Sequence, residues 1–479
     1  MSEVNNLQRK SSNKYDPPDG SYGYMICLAF TVIMVILMGY HESYSTIFKD
    51  KFYDLEMDAS IAVLKYVSAL CIAVSGMFTS NLLKLMTIRK LGFIAVVLYS
   101  AGSFCTAFCR SIVILFIFQG VQNLGHGILF NLSFTILTQY FVKKRLFIIS
   151  LAQSIVAATG FAIRPLVKWT LNHYGCQGTL LMITAISLHN LAAVALMQPV
   201  AWHQKKVPEN KEIDTNAPAN EVRTRRSRLP PGAASFESTT SSHRTKSPEL
   251  SGRVREKLLN KVLDGDLRQF VISNACMGLS LCLYSDVIYF NMLSPALYYM
   301  GWNENLVAKA LLLFTLGNII TRILFTVSTK WLTKVGSHEL YVIGLLIAAL
   351  SRLGMLWSDN RPIMLTFIVV MGAARCSLIV LHPIVIADSV TPENFSRAMG
   401  ISMLSYGVVN VILGPSMNAV HELTDSYPTI FYILTSFFAA VVVFWTIELV
   451  YKKSEHKRRP IRCRYDKSRF KYDQIKNSI

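Results

Sequence analysis

The run "LLLFTLGNIITRILFTV", residues 311–327, holds a single guanidinium, Arg322, among apolar side chains, with the amide of Asn318 four residues before it. A spacing of four places both on one face of a helix. A second run, "MGAARCSLIV", puts Arg375 in the same kind of setting. Arginine is the side chain best shaped to grip a carboxylate, through two parallel N–H donors. A charge inside a long apolar segment is retained where it faces water or polar partners. The chemistry on offer is therefore recognition of an organic anion. No run or loop carries a metal-ligand cluster, a nucleophile motif or a phosphate loop, so no metal site, no cofactor and no enzyme activity are expected. Arg164, in "GFAIRPLVKW", falls near the end of its run and reads as a vestibule charge, while His126, His189 and His382 read as packed helix residues.

Composition says what must position these groups. The 479 residues are 52% hydrophobic and 16% charged, with mean hydropathy +0.37, far from the mix of a soluble domain. A bilayer core of about 30 Å takes roughly 20 apolar residues per helical crossing. Runs of that kind fall at 24–40, 63–79, 91–108, 112–137, 146–163 and 179–197, then at 270–293, 311–327, 340–357, 363–387, 398–417 and 430–450. They are too long and too uniformly apolar for barrel strands. The expectation is an all-α integral membrane protein with twelve transmembrane helices, six in 22–200 and six in 268–450.

Between the halves, residues 201–267 are rich in Ser, Thr, Pro, Lys and Arg and poor in large apolar residues, a composition that cannot bury a core. They read as a cytosolic disordered linker, with "RVREKLLNKVLDG" at its end as a short amphipathic helix on the inner leaflet. The segments 1–21 and 451–479 read as cytosolic tails. Lys84, Arg89, Lys90, Lys143, Lys144, Arg145, Lys330, Lys334 and Arg397 lie on the loops at the side of the termini, so both termini are expected in the cytosol. Linker and tail supply most of the net charge of +19. Beside a membrane such basic segments answer anionic inner-leaflet lipids. Without a folded soluble domain they do not point to nucleic acid.

Short motifs narrow the fold. "PPDGSYGYMICLAF" resembles the signature at the entrance to the first helix of the monocarboxylate transporter (solute carrier 16) family of the major facilitator superfamily, through Asp19, Gly20, Tyr22 and Tyr24. "QYFVKKRLFIISLAQS" is similar to that family's Tyr-Phe-x-x-Arg-Arg segment, through Tyr140, Phe141, Lys144 and Arg145. "IADSVTPENFSRAMGISML", with Asp388, Pro392, Phe395, Ser396 and Gly400, matches in the second half. The resemblance implies the major facilitator fold, two six-helix bundles that rock about a midplane site.

It also implies a site. In proton-coupled members a first-helix lysine and an Asp/Arg pair four apart on the eighth helix bind the carboxylate and carry the proton. Here the pair falls on Asn318 and Arg322, and the lysine position falls on Glu42. Arg375 stands where those members carry an aromatic residue. With Arg375 added from its place inside an apolar run, the expected substrate-binding set is Arg322, Arg375, Asn318 and Glu42. Without the acid the familiar proton step loses its carrier. Facilitated exchange of an organic anion, or of a zwitterion whose amine meets Glu42, then stands beside proton-coupled symport of small monocarboxylates. A receptor or scaffold on the same fold is the other class, and the buried arginines argue against it. The expected partners are a small organic anion or zwitterion, with protons left open; an accessory single-span subunit is not readable from the sequence. The plasma membrane is the expected location.

Overall fold

The computed structural model describes residues 15–16, 19–54, 61–203, 205–206 and 265–476. Ser227 in "RRSR" and Ser247 in "TKSPE", whose surroundings resemble phosphorylation sites of the kind Ser-rich linkers match by chance, the segment 253–264, and the side chains of Glu42, Arg164 and the tail 452–476 lie outside the described residues. The chain divides into two compact units. One takes in Met1–Asp16 and Lys205–Asp264; its described part is a two-residue antiparallel pairing of β1 (Tyr15–Asp16) with β2 (Lys205–Lys206). The other, Pro17–Gln204 with Gly265–Ile479, holds the helices.

In the first half these are α1 (Gly23–Asp54), α2 (Ile61–Leu85), α3 (Ile88–Ala107), α4 (Ile112–Tyr140), α5 (Arg145–Ser187) and α6 (His189–Leu196). In the second they are α7 (Gly265–Ile272), α8 (Asn274–Tyr299), α9 (Glu304–Val327), α10 (Thr329–Val335), α11 (Ser337–Trp357), α12 (Arg361–Ser389), α13 (Phe395–Thr424) and α14 (Tyr427–Lys476). Eleven helical stretches among the described residues are long and apolar enough to cross a membrane. One of them, Arg145–Leu196, runs 52 residues. At 1.5 Å per residue that is about 78 Å, more than twice a bilayer core. It breaks at Gly175, whose φ of 65° an L side chain rarely adopts, so the stretch supplies two crossings and the total is twelve.

The apolar runs read from the sequence all fall on these helices, with one correction. The seventh was expected to begin at Phe270, but the chain leaves the helix at Ser273 (φ −69°, ψ 154°), so α7 is separate from α8. Polar groups hold this break: Ser273 Oγ donates to the Phe270 carbonyl at 2.7 Å, and the Glu448 carboxylate accepts from the Asn274 N–H at 3.3 Å. The first helix, by contrast, outlasts its apolar run. It continues through Glu42 to Asp54, so Glu42 stands on α1 rather than in a loop.

Burial is arranged as lipid contact requires. Leu28, Val97, Ile117, Leu350, Ile412 and Phe444 point outward and are more than half exposed. Inside, Tyr40, Phe48, Leu115 and Leu180 fill one cluster in the first half, and Tyr289, Phe314, Ile368, Met371 and Phe431 fill another in the second. Where lipid is as apolar as leucine, helices associate through close packing of small residues. A Cβ on Gly317 would meet the Val369 carbonyl, and one on Gly372 the Phe314 carbonyl, so α9 and α12 touch backbone to backbone. That approach brings the Asn318–Arg322 face of α9 up to the segment of α12 that carries Arg375.

Candidate functional site

Asp286 lies halfway along α8 and Arg375 halfway along α12. Their charges meet there: Arg375 Nε is 3.0 Å from Asp286 Oδ2, an ion pair too far off-axis to be a hydrogen bond. The other carboxylate oxygen, Oδ1, accepts from Arg352 Nη2 of α11, also at 3.0 Å. Arg352 Nη1 donates to Ser285 Oγ at 3.1 Å, and Ser285 donates in turn to the Leu434 carbonyl of α14 at 2.7 Å. One carboxylate thus stands between two guanidiniums held by four helices.

The two arginines differ in what they have left to offer. Arg352 is fully buried, its guanidinium over the Tyr289 ring at 4.3 Å and the Phe438 ring at 4.0 Å. Stacking of that kind on desolvated rings contributes about 2 kcal/mol per contact and fixes the cation in place. Arg375 stacks on Phe290 at 4.6 Å, yet 16% of its side chain stays accessible, against 1% for Arg352. Among the described residues no acceptor meets its Nη1 or Nη2. Those two donors form the kind of edge that a carboxylate fills.

Arg322 is placed otherwise. It lies in the half of α9 nearer the basic loops and is 4% exposed. Its Nε donates to Asn318 Oδ1 at 3.0 Å, which is the spacing of four made visible. Its Nη1 donates to the Gln153 carbonyl at 2.6 Å and lies 3.3 Å from Gln153 Oε1. Gln153 belongs to α5, so Arg322 ties the second half to the first. Asn318 serves here as the acceptor that orients Arg322.

The residues of the three short motifs form one network at the end of the bundle that carries the basic loops. Asp19 Oδ1 accepts from the backbone N–H groups of Val142 and Lys143 at 3.0 and 3.1 Å, and the Asp19 N–H donates to the Tyr140 carbonyl at 3.2 Å. Gly20 accepts from the Gly23 N–H in the turn that starts α1, where Gly23 lies against the Phe141 ring. Tyr22 and Tyr140 donate to the carbonyls of Leu196 and Gln198. Arg145 then crosses to the other half, its Nη1 3.3 Å from Asp388 Oδ1, while Ser337 donates to Asp388 Oδ2 at 2.6 Å. Asn131 of α4 makes a second crossing, donating to the carbonyls of Gly76 and Ser396 at 2.7 and 3.0 Å.

Of the four substrate-binding residues expected from sequence, Arg375, Arg322 and Asn318 lie on the facing helices α12 and α9, and Glu42 has its place on α1. Asp286, Arg352 and Gln153 were missed. The first two were open to the rule that found Arg375: "LYSDVIYF" and "LSRLGMLW" each carry one charge inside a run already read as a membrane span. Gln153 bears no charge and gives no such signal.

Comparison with known proteins bears on the family and the fold. Residues 23–327 and 276–464 match the model of the Major Facilitator Superfamily. Monocarboxylate transporter 13 of Bos taurus is 28% identical over 196 residues, 40% of this chain and 46% of the relative, so the match spans about half of that protein's length. Monocarboxylate transporter 6 of Mus musculus is 23% identical over 424 residues, 88% of this chain and 85% of the relative. Among solved structures, the transporter FucP in its outward conformation superimposes with TM-score 0.59 at 14% identity, over 89% of this chain and 98% of that one. The proton:xylose symporter XylE gives TM-score 0.61 at 12% identity, over 89% and 95%. These two likenesses speak to the fold alone. Matched along both halves, this chain of membrane-length apolar helices belongs to the major facilitator superfamily.

Proposed function

We propose that the chain carries small monocarboxylates or closely related organic solutes by alternating access, with Arg375 as the group that takes the carboxylate. The observation behind this reading is the pair of Nη donors on Arg375 that meet no acceptor among the described residues, halfway along its helix and steadied by Asp286. Similarity to proteins called monocarboxylate transporters supports the solute class. Arg322 and Asn318 line the approach from α9, and Arg322 makes the contact to Gln153 that closes the two halves on one side. When the halves rock apart on that side, this contact and the Arg145–Asp388 pair must break together. Proton coupling is not part of the proposal, because the position that would carry the acid is Asn318. The plasma membrane is the proposed location, with both termini cytosolic and the basic loops against anionic lipid.

The test is exchange in proteoliposomes made with the full chain. Vesicles are preloaded with unlabelled acetate, lactate, pyruvate, alanine or carnitine and given the same labelled solute outside, with and without a pH gradient. Saturable entry of a monocarboxylate, unchanged by an inward proton gradient beyond the protein-free control, is the expected result. If no solute exchanges, the reading is wrong; if only the zwitterions do, the carboxylate assignment falls in their favour.

A further inference from the structure

A further cation stands inside a membrane-length helix. Lys65 lies one turn into α2, whose other end carries Lys84 among the basic loops, so Lys65 belongs to the opposite end of the bundle. Helical period fixes the way it faces. Val63, Leu70 and Phe78, all exposed, mark the lipid side of α2. On the far side a Cβ on Gly127 of α4 would meet the Ile72 carbonyl, and Gly76 lies against Met403 of α13. Lys65 precedes Ile72 by seven residues, which puts it in line with this wedge between α4 and α13, where the two halves meet. It is half-buried there, and no carboxylate or other acceptor among the described residues meets its ammonium.

A lysine that snorkels to headgroups does so from the lipid side of its helix, and Lys65 stands on the other side. An unpaired ammonium between two helix bundles is retained where water and solute reach it. Polar groups continue inward from it. Tyr66 accepts from Asn418 Nδ2 of α13 at 3.4 Å. Tyr284 of α8 lies within electrostatic reach of Tyr66 and Tyr406, and Tyr406 within reach of Asp286 and Arg375. The Tyr284 hydroxyl is buried and has no partner among the described residues. Resting on the reading of Arg375 as the carboxylate ligand, we propose that Lys65 is a second anion site of the carrier, at the mouth facing away from the basic loops. It takes the carboxylate first, and the tyrosine hydroxyls lead from it to Arg375. An ammonium suits this station because it attracts as a point charge and lacks the fixed fork of a guanidinium. Capture of this kind raises the local concentration of monoanions at the mouth, and Arg375 completes recognition.

Sidedness tests the assignment. Vesicles from cells expressing the full chain are sorted, with an antibody to a C-terminal epitope, into those with the basic loops outside and those with them inside. Exchange of labelled acetate, lactate and pyruvate is followed against concentration in each. With the basic loops inside, Lys65→Gln raises KM by about fivefold or more, and Lys65→Arg, which keeps the charge, stays near the natural value. With the basic loops outside, the rise for Lys65→Gln is the smaller one. No rise in the first kind of vesicle, or an equal rise in both, overturns the capture site and leaves Arg375 as ligand intact. No exchange of any of these anions by the natural sequence overturns the monocarboxylate reading and this inference with it. A second measurement needs no variant. Acetylation of Lys65 by a membrane-impermeant N-hydroxysuccinimide ester, read by peptide mass spectrometry, is slowed severalfold by a saturating anion that the protein exchanges, while exposed Lys309 at the same end is not. Acetylation of Lys65 at the same rate with and without that anion overturns the site.

Discussion

Arg375→Ala abolishes most monocarboxylate exchange, by about 30-fold or more, while the protein still reaches the membrane and folds. The two parts of this expectation have separate physical origins. Removing one member of a buried, charge-assisted recognition pair costs about 2–5 kcal/mol of binding, and about 2 kcal/mol is already a factor of 30. Stability suffers less, because Asp286 keeps its 3.0 Å contact from Arg352 Nη2 and is not left uncompensated. Exchange rates at matched protein per vesicle, beside a thermal unfolding curve in detergent, check both parts. Unchanged exchange in a folded Arg375→Ala protein contradicts the assignment.

The converse substitution strikes the fold. Asp286→Ala takes the one carboxylate from between Arg352 and Arg375, and it leaves a fully buried guanidinium without its counter-ion. Breaking a buried pair in this way destabilises by about 3–5 kcal/mol, much of it from the stranded charge rather than the lost bond. The expected result is a large fall in the unfolding temperature and in the yield of monodisperse protein. Asp286→Ala with Arg352→Leu removes both charges and recovers much of the stability, since apolar replacement of a buried pair is often near neutral. A single Asp286→Ala protein as stable as the natural one shows that the pair does not organise the second half.

These expectations show which parts of the molecule were legible beforehand. The twelve crossings were, because each rests on a length of apolar sequence that only a membrane or a helix core explains, and Arg145–Leu196 divides where the sequence has Gly175. The face shared by Asn318 and Arg322 followed from helical period alone, and the 3.0 Å contact bears it out. The motif residues were legible as markers, but their mutual contacts were not. Asp19 and Lys143 lie more than a hundred positions apart, and no local pattern says that a carboxylate at one reaches backbone donors at the other.

The chief gap concerned the second half. Resemblance led to Arg322 and a lone charge inside an apolar run led to Arg375, whereas the counter-ion of Arg375 is Asp286, on a helix where the resemblance asks for no acid. Partner choice depends on how α8, α11 and α12 are rotated about their axes, and hydropathy carries little of that information. The break at Ser273 was missed for a related reason. Apolar composition continues across it, and the polar contact that ends α7 comes from Glu448, on α14.

The central claim is that the carboxylate is gripped by Arg375, while Arg322 holds the two halves together. Arginine-to-lysine substitution separates these roles, since lysine keeps the charge but loses the two-pronged edge. The measurement is the concentration dependence of exchange for Arg375→Lys and Arg322→Lys in preloaded vesicles. On this account Arg375→Lys raises KM by about tenfold, the loss of roughly one charge-assisted hydrogen bond. Arg322→Lys changes the maximal rate and leaves KM within about twofold, because its bonds to Asn318 and Gln153 are made in the empty carrier. The opposite pattern, with KM raised by Arg322→Lys and untouched by Arg375→Lys, contradicts the claim and returns the carboxylate to Arg322.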